Sequence, residues 1–103
     1  MRTKVKTIDV NCKEWFDKIN GNSYFAGTIT VNYGMKTAKV INMPFQYGYG
    51  DHYRDMAFEL LQKLNIIPKQ ESNLSYWSYY KESNIVARHS LHENCLKREL
   101  MLF

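Results

Sequence analysis

Between Tyr24 and Phe45 the chain twice alternates apolar and polar residues, and Gly34 separates the two runs. In the first run Phe25, Ile29, Val31 and Tyr33 fall on one face with Gly27 between them, and Tyr24, Ala26, Thr28, Thr30 and Asn32 fall on the other. Strand side chains alternate between faces, so this is the pattern of a half-buried strand. Gly34 supplies a turn, and Lys36 to Phe45 returns as a second strand with Ile41, Met43 and Phe45 on one side. The pair predicts an antiparallel hairpin. Pro44 has no amide donor, which places it at a strand end or on a sheet edge. A hairpin with one apolar face requires a covering layer, and this restricts the chain to a sheet-and-helix packing.

The covering helix is predicted from Asp51 to about Asn65, ended by Pro68. Tyr53, Ala57, Leu60, Leu61 and Leu64 form its apolar stripe. Val5, Ile8 and Val10 predict a short first strand, and the alternate Lys4 and Lys6 mark it as an edge strand. Asn11 with Glu14 reads as a capping box for a short helix carrying Trp15, Phe16 and Ile19, stopped at Asn20-Gly21. Residues 70–84 fit either a helix or a strand. The helix is preferred, with Ser72 or Asn73 as cap, Leu74 and Trp77 inward, and Asn84 as terminator. A last strand from Ile85 to about His92 and a helical turn around Leu96 and Leu100 complete the chain. The expectation is a single α+β domain over residues 1–103. Its antiparallel sheet of three to four strands is packed mainly by one amphipathic helix, an order that fits a ferredoxin-like βαββαβ arrangement.

Composition narrows the function classes. At 103 residues with 45% apolar and 23% charged residues, the chain matches an ordinary globular domain rather than a disordered one. Met1 to Val10 has no apolar run of the kind a secretory leader needs, and no stretch approaches the roughly 20 apolar residues of a membrane span. Cys12 and Cys95 are few and far apart, as expected of free thiols. A cytoplasmic location follows as the expectation. The net charge of +4 permits a polyanionic partner without requiring one. Aromatic residues are the departure from the ordinary, with 8 Tyr, 5 Phe and 2 Trp. Trp15, Phe16, Phe25 and Phe45 are assigned to the core, whereas Tyr47, Tyr49, Tyr79 and Tyr80 have no such explanation.

Four groups of residues could carry chemistry. Tyr47-Gly-Tyr-Gly-Asp-His-Tyr53 is either a tight strand-to-helix connector or an exposed aromatic loop that meets a partner, with Tyr47, Tyr49, His52 and Tyr53 as contacts. It is no phosphate-binding loop, because the Lys and Ser/Thr of that motif are missing. Asp51 and His52, with His89 or His92, make a poor acid–base pair, since adjacent helical residues point about 100° apart. No catalytic residue is assigned. His89, His92 and Cys95 match no standard zinc spacing, and a strand would point the two histidines to opposite faces, so no metal or cofactor is expected. They read as chance residues on a surface strand. Lys4, Lys6 and Arg88, with Arg2, Lys97 and Arg98 nearby, could form a nucleic-acid surface on which tyrosines stack against unpaired bases, although acids interrupt each cluster.

The phrases Glu14-Trp-Phe-Asp-Lys-Ile-Asn-Gly-Asn-Ser-Tyr-Phe25 and Pro44-Phe-Gln-Tyr-Gly-Tyr-Gly-Asp-His-Tyr53 resemble small uncharacterised proteins of bacteriophages and other mobile elements. The resemblance covers about two-thirds of the chain and implies an origin rather than a mechanism. It suggests a non-enzymatic accessory protein that binds and inhibits a host defence protein, as anti-CRISPR proteins do. The alternative is a small single-stranded nucleic-acid-binding protein. A homodimer paired through an edge strand is a further expected partner state.

Overall fold

In the computed structural model, residues 5–48, 50–69 and 75–101 are described. Strand β1 runs Thr7–Asp17, β2 Asn22–Val31, β3 Lys39–Tyr47 and β4 Val86–His92; helix α1 runs His52–Lys63, α2 Tyr76–Glu82 and α3 Lys97–Leu100. The strands form one mixed sheet in the order β3-β2-β1-β4. The β1–β2 and β2–β3 pairs are antiparallel, and β4 joins β1 in parallel. The fold is α+β, but its order is not ferredoxin-like and its sheet is not wholly antiparallel.

The departure begins at residue 11. The predicted short helix is the second half of β1, which pairs with β2 without a break from Ile8↔Val31 to Asp17↔Asn22. Asn20-Gly21, expected to end a helix, instead closes a hairpin. The Asp17 carboxylate accepts hydrogen bonds from the Ile19 and Asn20 amides at 3.0 and 3.3 Å, and Gly21 (φ +71°) donates its own amide to the Asp17 carbonyl. An Asx-type turn satisfies the local polar groups as well as a helix end would. Ten residue pairs of sheet then outweigh a helix of two turns. With β2 on one side and β4 on the other, β1 is a central strand rather than an edge, so β3 and β4 hold the sheet's two edges.

One face of the sheet builds the core. Ile8, Val10 and Cys12 from β1, Phe25, Ile29 and Val31 from β2, and Ile41 and Met43 from β3 pack with Tyr53, Ala57, Phe58 and Leu61 of α1 and Tyr80 of α2. The α1 stripe is shorter than predicted, since Leu64 is exposed. The helix ends where Asn65 takes a left-handed conformation (φ +59°) and the Ile66 amide donates to the Leu61 carbonyl, before Pro68 is reached. Helix α2 bears out the helical reading of its segment, with Ser75 at the N-cap and Asn84 (φ +56°) just past its end, but Trp77, expected inward, is exposed and Tyr80 is the buried residue. Ser72, Asn73 and Leu74 lie outside the described residues. Both cysteines are free, and burial pushes the Cys12 thiol up to about 12.

The strand β3 contains the shift that matters most. Gly27 pairs with Met43, yet Phe25 pairs with Gln46, so Pro44 and Phe45 together oppose the single residue Ala26. This is a β-bulge on an edge strand, at a proline that has no amide to offer the ladder. It inverts the alternation: Ile41 and Met43 point into the core, whereas Phe45 and Tyr47 point to the opposite face. Phe45 therefore does not share the side of Ile41 and Met43.

Candidate functional site

The face of the sheet opposite α1 carries a row of aromatic rings drawn from three strands. Trp15 of β1 stacks on Tyr24 of β2 with centroids 5.6 Å apart and planes inclined by 25°. Tyr24 stacks in turn on Phe45 of β3 at 5.0 Å and 12°, and Tyr47 meets Tyr24 edge-on at 5.8 Å. Register explains the alignment, since Trp15↔Tyr24 and Tyr24↔Tyr47 are directly opposed pairs and the bulge adds Phe45. Such cross-strand aromatic pairs each stabilise a sheet by roughly 0.2–1 kcal/mol.

Helix α3 crosses this second face. Lys97 holds its ammonium 5.4 Å from the Trp15 ring centre, Lys13 pairs with Glu99 at 3.7 Å, and the Cys95 amide donates to the Glu14 carbonyl at 2.9 Å. Leu100 and Ala26 are fully buried, yet neither belongs to the core cluster under α1. They mark a second, smaller buried zone where α3 meets β1 and β2. Beyond it, Trp15 also lines a cleft of about 400 Å³ formed by the β1–β2 hairpin and residues 94–96. Phe16, Leu96 and Ile19 are exposed there, Ile19 by 94%. Trp15 thus joins the aromatic row to an apolar hairpin tip. Of the four aromatic residues assigned to the core from sequence, only Phe25 lies there.

The Tyr47 to Tyr53 segment divides. Tyr47 is 58% exposed at the end of the aromatic row, and it shares a cleft with Asp51, His52 and Asp55. Tyr53 is only 2% exposed and belongs to the core, so it leaves the proposed contact group. Tyr49 lies outside the described residues. The connector is tight: a Cβ on Gly48 would fall 2.5 Å from His52 Cδ2 and 2.7 Å from Phe25 Cε1. Glu14 accepts a backbone hydrogen bond from Gly50, and burial followed by repulsion from Glu93 raises its carboxyl above the ordinary range. Asp51 is the N-cap of α1 without a side-chain capping bond; its Oδ1 lies 3.6 Å from Arg54 Nε instead.

Of the predicted nucleic-acid residues, Lys6 and Arg88 are described, and the Lys6 carbonyl accepts from the Val86 amide of β4 at 3.0 Å. Arg88 is opposite Asp9 on the face that bears α3, and its guanidinium donates from Nε at 2.6 Å and Nη2 at 3.2 Å to the Asp9 carboxylate. Lys6 precedes β1 with an exposed side chain, and Lys4 lies outside the described residues. As expected for a strand, His89 and His92 point to opposite faces, opposing Val10 and Lys13 respectively. His89 is not a chance surface residue: its ring packs among Tyr53, Tyr76 and Tyr80. Among the described residues no three His, Cys, Asp or Glu side chains are grouped to hold a metal ion, and no helix is long and apolar enough to cross a membrane.

Burial lowers the pKa of His89 below its ordinary value near 6.5, and Arg54 lowers it further against a smaller opposing effect of Asp51. As pH falls below the ordinary value, the unfolded chain takes up this proton before the folded one does. The stability owed to neutral His89 is therefore complete above about pH 6.5 and is lost as pH falls toward the depressed value. Urea midpoints measured across this window should decline toward acid in the wild type, and His89→Phe should flatten the decline. An unchanged slope in the variant would assign it to other groups.

Comparison with protein-family models, with curated proteins and with solved structures finds no match. The arrangement of the side chains is therefore the ground for a functional reading.

Proposed function

We propose that the protein is a non-enzymatic binding module whose aromatic row, continued through Trp15 into the Phe16–Ile19 hairpin tip, docks on a larger protein. A host defence protein is the partner class that the phage-like phrases imply, with inhibition as the outcome. The observation that carries the reading is the exposed apolar zone joined at Trp15. Contiguous apolar surface of this kind is retained where it meets something, and Trp and Tyr dominate the energetics of protein contacts.

Ring geometry favours a protein over a nucleic acid. Coplanar rings cannot approach as closely as 5.0 Å, so Tyr24 and Phe45 overlap face to face, and Lys97 stands over Trp15. Bases stack on open ring faces, and the inner faces of this row are already filled. The Asp9–Arg88 pair also removes a cation that phosphates would need.

Ile19→Asp combined with Tyr47→Ala tests the proposal. Both positions are exposed, so the loss in folding should stay within the roughly 0.2–1 kcal/mol of the Tyr47–Tyr24 ring pair. Retention of a specific partner from bacterial host extract should fall by about 30-fold or more, the loss expected at interface hot spots. A folded variant that keeps the partner overturns the assignment. Salt-sensitive binding of wild type to short single-stranded DNA or RNA, lost on Arg88→Gln, would instead establish the nucleic-acid reading.

A further inference from the structure

On the opposite side of the sheet from the aromatic row, a pocket of about 310 Å³ opens between α2 and β4. Tyr76, Tyr80 and His89 give it aromatic walls, with the Tyr76 and His89 rings 5.4 Å apart and those of Tyr80 and His89 at 6.4 Å and 26°. Arg54 and Lys81 bring two cations to its lining, and no carboxylate residue lines it among the described residues.

Two polar atoms here are unusual. The Tyr80 hydroxyl and His89 Nε2 are both buried without a hydrogen-bond partner among the described residues, and the Tyr80 residue is only 4% exposed. Leaving a buried polar group unpaired is costly, and native folds normally avoid it. Both atoms belong to residues that line one pocket, yet each is closed off from it, so a group that pairs with them must open the wall locally. Arg54 is pre-positioned for that partner: Nε donates to the Tyr53 hydroxyl at 3.3 Å, and the guanidinium is also hydrogen-bonded to Tyr76. Asp51 Oδ1, 3.6 Å from the same Nε, is the one carboxylate paired with Arg54 among the described residues, and it is largely exposed.

We propose that this pocket binds a planar aromatic anion, of which an aryl carboxylate is the simplest form. The ligand ring would lie against the aromatic wall rather than between its rings, which at 5.4–6.4 Å leave no slot, and Arg54, the Tyr80 hydroxyl and His89 Nε2 would meet the anionic group and its neighbouring polar atoms as the wall opens locally. The cations select against positively charged rings, and the walls select against a bare inorganic anion. The site lies apart from the partner-binding row and does not depend on it.

Benzoate, benzylammonium and inorganic phosphate are suitable probes for titration of the full chain, followed by the His89 and Tyr80 NMR resonances. Benzoate should produce saturable shifts, while benzylammonium and phosphate should bind at least about tenfold more weakly. Arg54→Gln and Tyr80→Phe should each weaken benzoate binding by about tenfold, the loss of one good hydrogen bond. Tyr80→Phe should leave Tm unchanged or raised, because the hydroxyl that it deletes has no partner in the free protein. Absence of saturable shifts with benzoate, phosphate binding as well as benzoate, or variants that bind like wild type would each overturn the proposal. A lowered Tm for Tyr80→Phe would overturn it too, by showing that the hydroxyl is already satisfied within the fold.

Discussion

Gly27→Ala is expected to destabilise the fold severely. Gly27 sits on the core face of β2 opposite Cys12. A Cβ there would fall on the Asn11 carbonyl oxygen and come within 2.6 Å of Cys12 Cα and 2.8 Å of Cys12 Sγ. The first two atoms are backbone of the central strand, which pairing with β4 holds from its other side. Strand β1 therefore has nowhere to retreat without breaking a ladder. The cost should be at least about 3 kcal/mol, a large part of the 5–15 kcal/mol that keeps a small domain folded. Urea denaturation followed by near-ultraviolet circular dichroism checks it, and a midpoint like that of wild type would refute it. Adding Cys12→Ala should not restore the fold, because the obstructing atoms of the backbone remain.

Asn32→Leu should be nearly as damaging. Asn32 is fully buried and holds a left-handed conformation (φ +54°) just after β2. Its Oδ1 accepts hydrogen bonds from the Lys6 and Thr7 amides at 2.7 and 3.3 Å, its Nδ2 donates to Thr37 Oγ1 at 3.0 Å, and its own amide donates to the Thr7 carbonyl at 2.9 Å. One side chain thus joins the entry to β1 with the β2–β3 loop. Leucine leaves the Lys6 amide without its acceptor and puts a bulky residue where asparagine is tolerated. We expect a loss of about 3 kcal/mol from these two effects together. Asn32→Asp keeps the acceptor and the tolerance for positive φ but buries a carboxylate, so it should cost clearly less than leucine in the same denaturation series once acid pH protonates it. Equal losses for the two variants would show that the Oδ1 acceptor is not what holds this site, since Asp keeps it at the same volume.

Local patterns made much of this fold legible. The two runs around Gly34 predict β2 and β3, the stripe from Tyr53 predicts α1, and Leu96 with Leu100 predicts the turn that becomes α3. Pairing was less legible, because it depends on residues remote in the chain. The stretch from Asn11 to Gly21 carries a capping pattern and a glycine stop, and it becomes strand only because β2 offers a continuous ladder beside it. Lysines at alternate positions suggest an edge, yet parallel pairing with β4 encloses β1. The candidate site was hidden by one inserted residue. Pro44 within an apolar run was the available signal for a bulge, and taking it as one would have moved Phe45 to the face of Tyr24. Glycine and tyrosine content marks Tyr47–Tyr53, of which Tyr47 joins the aromatic row and Tyr53 does not.

The parallel β1–β4 pairing has a consequence for how the chain assembles. The three-strand meander can zip up locally through short turns, but the partners Asp9 and Arg88 are 79 residues apart. Closing so long a loop is slow, since its entropy must be given up before any contact compensates. Until β4 arrives, β1 presents an unpaired edge of backbone N–H and C=O groups that another copy's β4 would fit equally well. Refolding at high concentration therefore favours exchange of the segment after α1 between molecules, whereas dilution favours each chain closing on itself.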